Sequence, residues 1–437
     1  MKFVFVLVFL TGFLVSASLA QQNVDVLVKD ISVFDPRSGM MLPRRDIVIS
    51  DTKIVAILPS GKFKGKAKTT VNGSGKYALP GLFDNHVHIA RLTEQSAGLF
   101  LAFGVTSVRD MGTVPSKIEA WRKKIAYGKF YGPRIVQACG PMLESGGEER
   151  KDHWVVSGPE MAREVASRVA EAGMDCIKLR TFKDRETYLA IAAAAKDKGL
   201  MFTGHAPESI DPIVALNAGQ RTFEHAFYPY PLSKLSAEEK QKLVALFVAN
   251  KAAIVPTLVA WKPFTEQTME IEQKTSRFQL GIPVTLPTEL LAHWVNQIEI
   301  HRKQNLGSKD WLDAVKTASR DVGEMSSAGV TILPGSDTGA PFVVPGVAIH
   351  EELMLLVSDA GLSPTQALKA ATIESAAFYG READLGSIEV GKIADLMILD
   401  KDPLADIRNT LAIDAVIFRG EPLPKAKLNI LLGPSKE

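Results

Sequence analysis

The sequence predicts an α/β protein: a (β/α)8 TIM barrel joined to a small β-domain built from both chain ends. Three observations carry this. Eight short apolar segments between about residues 80 and 380 alternate with amphipathic, helix-like stretches, the pattern of parallel βα units. β-rich pieces separated by turn residues recur at both ends of the chain. The 437 residues, 46% of them apolar, suffice for one large domain or two ordinary ones with a real core.

The chain opens MKFVFVLVFLTGFLVSASLA. Lys2, an apolar run and small residues ending at Ala20 read as a secretory signal over residues 1–20, cleaved after Ala20, which predicts a secreted or periplasmic protein. A retained anchor is the alternative, because the run approaches the ~18 residues a membrane span requires. Residues 21–78 hold VDVLVKDISVFD, RRDIVISDTKIVAIL and TTVNGSGKYALP, and residues 381–437 hold DLGSIEVGKIADLMILD and DAVIFRGEPL. Together they make the expected β-domain.

Residues 79–380 are the expected barrel. Its strand candidates are GLFDNHVHI, VTSVRDM, RIVQACG, DCIKLRT, MFTGHAP, RTFEHAF, AAIVPTLVAW and VTILPGSDTG. Between them lie stretches such as GPEMAREVASRVAEAG and DRETYLAIAAAAKDKG, each closed by a glycine that suits a helix C-cap. The stretch from about Lys262 to Asp310 is longer than an ordinary connection and is expected to carry extra helices over one barrel face. Net charge is +2 with mixed signs, which gives no basis for a nucleic-acid groove. Cys139 and Cys176 both sit in apolar, strand-like runs. Two buried thiols are the expected state, with a disulfide as the alternative.

In such a barrel, chemistry belongs to the C-terminal ends of the strands. His86 and His88 in GLFDNHVHIA are two residues apart on the first strand and so face the same way. That suits a pair of metal ligands, although the spacing alone is equally that of a packed core pair. Lys178 lies inside the apolar MDCIKLR, His205 in FTGHAP, His225 in TFEHAF and Asp337 in PGSDTG. Singly, each histidine reads as a hydrogen-bonded core residue and Asp337 as a helix N-cap. Five strand ends carrying such groups make a constellation. Lys178 says most, because lysine is seldom buried and desolvation lowers its pKa. A neutral amine can add carbon dioxide and become a carbamate, a two-oxygen anion able to bridge two cations.

With these residues the chain resembles the amidohydrolase superfamily of metal-dependent hydrolases, in particular its prolidase-like and imidazolonepropionase-related members. The motifs that carry the resemblance are LPGLFDNHVHI, the strand-four Lys178, TGHAP, FEHAF, LPGSDTGAP and ATIESAAFYGREADLGSIEVGKIADLMILDKDPLADI. They span nearly the whole chain after the signal. The resemblance implies a distorted barrel, a β-sandwich-like domain from both ends, and an enzyme, exported by the signal read above, that hydrolyses the amide C–N bond of a dipeptide or N-acyl amino acid. It implies two divalent metal ions, zinc by default. His86, His88 and Asp337 would hold the more buried ion, His205 and His225 the more exposed one, and Lys178 as its carbamate would bridge both. Asp337 would carry a proton to the leaving amine, and Tyr228, which matches a tyrosine of prolidase-like members, would donate to the developing oxyanion.

Substrate-side candidates are Arg180, two residues past Lys178, and His153, with Arg150 and Trp154 in the loop after strand three and Arg91 past the first strand. The expected partner is a small-molecule substrate, with no nucleic acid and no membrane after signal cleavage; a homo-oligomer stays open. The chain departs from the dipeptidase pattern at LRTFKD, where glycine-rich residues often follow the lysine, and this leaves the substrate open. The alternatives are a cyclic amide or lactone hydrolase and a mononuclear deaminase using Glu208, although Pro207 stands where deaminases usually carry glycine. Outside enzymes, the alternative is an exported binding protein on a hydrolase scaffold.

Overall fold

The structure, a computed structural model, describes residues 23–146, 149–206, 210–226, 231–265, 292, 294–300 and 308–433. The signal segment, Tyr228, Glu208 and most of the stretch between Lys262 and Asp310 lie outside these residues. Among the described residues, no helix is long and apolar enough to cross a membrane.

The chain divides into two compact units, 1–82 with 364–429 and 83–363 with 430–437. The first unit thus takes in residues 364–380, which the sequence reading gave to the barrel. It contains an eight-stranded sheet made from both chain ends. Seven strands run in the order Glu421–Pro424, Ile413–Phe418, Leu396–Leu399, Tyr77–Pro80, Asn23–Asp35, Met40–Ser50, Lys53–Pro59, and Lys66–Asn72 pairs with Asn23–Asp35. Alternation along Met40–Ser50 sends Ile47 and Ile49 to one face and Val48 to the other. Val26, Val28, Ile47, Ile49, Ile398 and Ile417 gather in one apolar cluster, while Val24, Val48 and Ala56 gather in another.

The second unit is α/β. Its seven-stranded sheet runs His153–Val155, Met142–Glu144, Cys176–Leu179, Met201–His205, Thr222–Glu224, Ala253–Val255, Thr331–Ile332, parallel throughout. A three-stranded sheet holds Leu82–Val87, Val105–Asp110 and Arg134–Ala138. Backbone hydrogen bonds join both edges of the three-stranded sheet to the seven-stranded one. On one side Gly140 N–H donates to Cys176 and Asp175 N–H to Ala138. On the other, Asn85 N–H donates to Pro334, His88 N–H to Thr338 and Asp337 N–H to His86.

The helices between the strands follow local chemistry. Gly158–Glu171 buries Ala162, Val165, Ala166 and Val169, one face of a 3.6-residue period, and Gly173 beyond it takes φ +69°. Asp184 caps Arg185–Asp197 by accepting the N–H groups of Glu186 and Thr187, and Ser236 forms a capping box with Glu239.

Two expectations are corrected. AAIVPTLVAW is a strand only over Ala253–Val255 and then a helix, Leu258–Thr265. Pro256 has no N–H for the ladder, and Thr257 turns the chain at φ +51°. Cys139 and Cys176 are not two thiols but a disulfide across 37 residues. Parallel pairing sets them opposite each other at the seam between the sheets, with Cα atoms 4.4 Å apart, inside the range a disulfide needs.

Candidate metal centre and substrate cavity

Four of the chain's eight histidines converge with Asp337 and Lys178. His86 ends the first strand of the second unit and His88 follows it by one residue. Their Nε2 atoms lie 3.5 and 3.3 Å from Oδ1 of Asp337. His205 closes Met201–His205, His225 follows Thr222–Glu224, and their Nε2 atoms are 3.1 Å apart. Donor atoms of His86, His225 and Asp337 all lie within 4.8 Å of one another. Asp337 and His225 adopt φ +59° and +65°, the left-handed region that non-glycine residues keep only where the surroundings enforce it. Gly204 is required by closeness: a Cβ there would collide with the backbone of Leu179.

The other ring nitrogens are fixed. Nδ1 of His86 meets Glu224 at 2.7 Å, Nδ1 of His225 meets the Thr257 hydroxyl at 2.8 Å, and Nδ1 of His88 faces the Gly112 carbonyl at 3.4 Å. Glu224 is itself held by Arg109, whose guanidinium lies 3.0 Å from both carboxylate oxygens and also donates to the Asn85 carbonyl and the Thr222 hydroxyl. Arg109 and Glu224 have no exposed surface. Behind Thr257, fully buried Glu352 on helix Val347–Ser358 accepts the Val259 N–H at 2.8 Å. Such outer contacts set the tautomer and aim of ligand histidines.

Burial pushes His86 and His205 far below the usual imidazole range and His225 to about 4. The rings are therefore neutral at neutral pH, with lone pairs free for a cation. Burial opposes the charge on Asp337, but His86 and the other imidazoles hold its carboxyl well below the usual range. Burial brings the Lys178 amine down to about 8, against the pull of Glu224 and Asp337. Among the described residues, two fully buried atoms of the cluster, Nε2 of His86 and Nζ of Lys178, have no hydrogen-bond partner. Orphaned polar atoms of this kind are costly. Imidazole nitrogens, one carboxylate and an amine whose pKa is brought down to about 8 suit a zinc-like divalent cation, so the residues present fit a metal.

The cluster lies on a cavity of about 840 Å³. Arg91, Arg150, His153 and Arg180 line it as well. Arg180 is paired with Glu144 at 3.0 Å. Trp154 is not among the lining residues; its ring stacks under the Arg168 guanidinium, 4.2 Å from the centroid. Sequence reasoning missed Arg109, Glu224, Thr257, Glu352 and the cavity-lining Trp261. Arg109 and Glu224 carried a usable signal, a charged residue within an apolar strand, which is the same signal that singled out Lys178. Thr257 and Glu352 carried none.

A sequence profile of the amidohydrolase family matches residues 77–423. The chain belongs to the amidohydrolase family. It is a hydrolase acting on carbon–nitrogen bonds, from a superfamily whose members use divalent metals, and the binding-protein alternative falls away. A protein of Bifidobacterium longum described as a prolidase is 27% identical, with a TM-score of 0.70, and the match covers 93% of this chain and 98% of that one. A Xaa-Pro dipeptidase with bound methionine in the active site shares the fold at 24% identity, a TM-score of 0.68 and coverage of 91% and 99%. The adenine deaminase of Chelativorans sp. (strain BNC1) is 23% identical over 404 residues, 90% of this chain. This chain spans 57% of that deaminase's length.

Proposed function

We propose that this amidohydrolase is an exported, metal-dependent enzyme that hydrolyses the amide bond of a dipeptide or an N-acyl amino acid. The observation that carries the reading is the buried Nζ of Lys178, without a hydrogen-bond partner among the described residues and facing the same cavity as His88, His205, His225 and Asp337. A deaminase with one metal gives that amine no role. The fold proposed is a closed, distorted (β/α)8 barrel with a β-sandwich-like domain from both chain ends, supported by the hydrogen bonds that tie both edges of the three-stranded sheet to the seven-stranded one.

His86, His88 and Asp337 would hold one divalent ion, His205 and His225 a second, and the Lys178 carbamate would link them. When bound, such a pair supplies Lewis acidity toward the scissile carbonyl and toward water. The protein's own part is positional and protonic. Glu224 and Thr257 aim His86 and His225. Asp337, held ionised, accepts the proton of the attacking water at its carboxylate and delivers it to the departing nitrogen, so that an acid and a free amine leave. Tyr228 is proposed as donor to the developing oxyanion.

The test is metal analysis of the purified protein, ¹³C NMR in ¹³C-bicarbonate, and an amine-release screen over dipeptides and N-acyl amino acids. The expected result is two metal equivalents, a carbamate resonance that is absent in Lys178→Ala, and turnover of at least one class. One metal equivalent with full turnover and no resonance overturns the binuclear reading.

A further inference from the structure

The Thr257 hydroxyl meets Nδ1 of His225 at 2.8 Å. It does so from a backbone that runs against its own preference. Thr257 has φ +51°, and a β-branched residue enters that region only where its surroundings hold it there. Strand Ala253–Val255 cannot supply the hold, because it ends before Pro256, which has no N–H for a ladder.

The hold comes from a different helix. The Glu352 carboxylate, on Val347–Ser358, accepts the Val259 N–H at 2.8 Å, and the N–H groups of Leu258 and Thr257 donate to it as well. These three consecutive amides lie where the chain leaves the left-handed turn and starts helix Leu258–Thr265. The first amides of a helix have no acceptor within it, and an anion is favoured there. Thr257, Leu258, Val259 and Glu352 have no exposed surface, so water does not take over if the carboxylate is removed. The same short segment reaches both halves of the site. Thr257 aims His225, while Ala260 and Trp261 line the cavity, the Trp261 ring 6.2 Å from that of His225.

We infer that Glu352 is a positioning residue of this site: by gripping the start of helix Leu258–Thr265 it sets both the aim of His225 and the place of Trp261 on the cavity wall. The assignment rests on the proposed function only in giving His225 to a metal ion. Without the carboxylate, the Thr257 backbone is free to leave its left-handed conformation. Its hydroxyl then leaves Nδ1 of His225, and the imidazole loses the contact that orients it. The Trp261 indole, four residues further along the same segment, moves with it.

The test is zinc titration of the metal-free protein and ¹⁹F NMR of the 5-fluorotryptophan-labelled protein. Glu352→Leu fills the space without an acceptor, Glu352→Gln keeps an acceptor, and Thr257→Val removes only the hydroxyl. His205→Asn assigns the zinc affinity that belongs to His205 and His225, and Trp261→Phe assigns the Trp261 resonance among the chain's five tryptophans. Glu352→Leu and Thr257→Val are each expected to weaken that affinity about 10- to 100-fold, with the other ion much less affected. In the double variant the losses do not multiply, and Glu352→Gln stays near the wild type. In metal-free Glu352→Leu the Trp261 resonance moves and the other four hold. Equal loss at both ions with all five resonances displaced makes Glu352 merely structural and overturns the inference, as do losses that multiply. An unchanged affinity in Thr257→Val overturns it too, which decides the matter even if Glu352→Leu fails to fold. A wild type that takes up one ion counts against the binuclear reading instead. The same variants are then read on that ion, since donor atoms of His86, His225 and Asp337 lie within 4.8 Å of one another.

Discussion

Glu224 and His86 form a pair with no exposed side-chain surface, the carboxylate Oε2 lying 2.7 Å from Nδ1. The contact leaves Nε2 of His86 directed toward Asp337, 3.5 Å away. Glu224→Gln is expected to weaken metal binding or activity about 10- to 100-fold. Glu224→Ala also strands the buried Arg109 guanidinium and is expected to cost about 3–5 kcal/mol of stability. Metal titration and urea unfolding of both variants separate the two effects. Unchanged metal affinity in Glu224→Gln removes Glu224 from the centre.

Lys178 should be a liability to the metal-free fold, because its amine is fully buried and has no hydrogen-bond partner among the described residues. Lys178→Met is expected to unfold at an equal or higher temperature than the wild type when metal is stripped, and to retain little metal. Lys178→Ala should regain part of its metal and activity with short carboxylic acids, which replace the bridging oxygens. Full activity without such additives contradicts the bridge.

Asp337→Asn keeps the left-handed backbone that asparagine tolerates but removes the proton acceptor. Turnover is expected to fall about 10²- to 10⁴-fold, with the circular dichroism spectrum unchanged. Normal turnover means the proton travels by another group.

The Cys139–Cys176 disulfide closes a separation of 37 residues at the seam between the two sheets. By loop-closure entropy its removal is expected to cost about 3–4 kcal/mol. Calorimetry of the wild type with and without a dithiol, and of the Cys139→Ser/Cys176→Ser protein, measures this. Coincident melting curves mean the bridge contributes nothing.

Burial pushes the Glu352 carboxyl up to about 8, opposed by the N–H groups of Val259, Leu258 and Thr257. The folded state therefore binds the extra proton between the ordinary value of 4.5 and about 8. The associated stability is complete below the lower value and is lost as pH rises through the upper one. Glu352→Gln keeps the acceptor but cannot ionise. Its stability should fall less than that of the wild type between about pH 5 and about pH 8.5, measured by denaturant midpoints. Superimposable pH profiles mean that Glu352 does not titrate in that window.

By itself, the sequence placed most of the strands and helices of the second unit and singled out His88, Lys178, His205, His225 and Asp337, which the fold brings onto one cavity. Strand and helix periods are local, and so is the oddity of Lys178 in an apolar strand or of two histidines two residues apart. What the tertiary structure decided depends on pairs far apart in the chain. Glu224 reaches His86 across 138 residues, Val259 reaches Glu352 across 93, and Cys139 meets Cys176 only because parallel pairing sets them opposite each other. It likewise decided that Glu144 holds Arg180, a pairing across 36 residues that neither position announces. The physical reason is common to all four. A side chain's type is written in its own position, but its partner, and hence its charge state and its aim, is fixed by register and packing between distant segments.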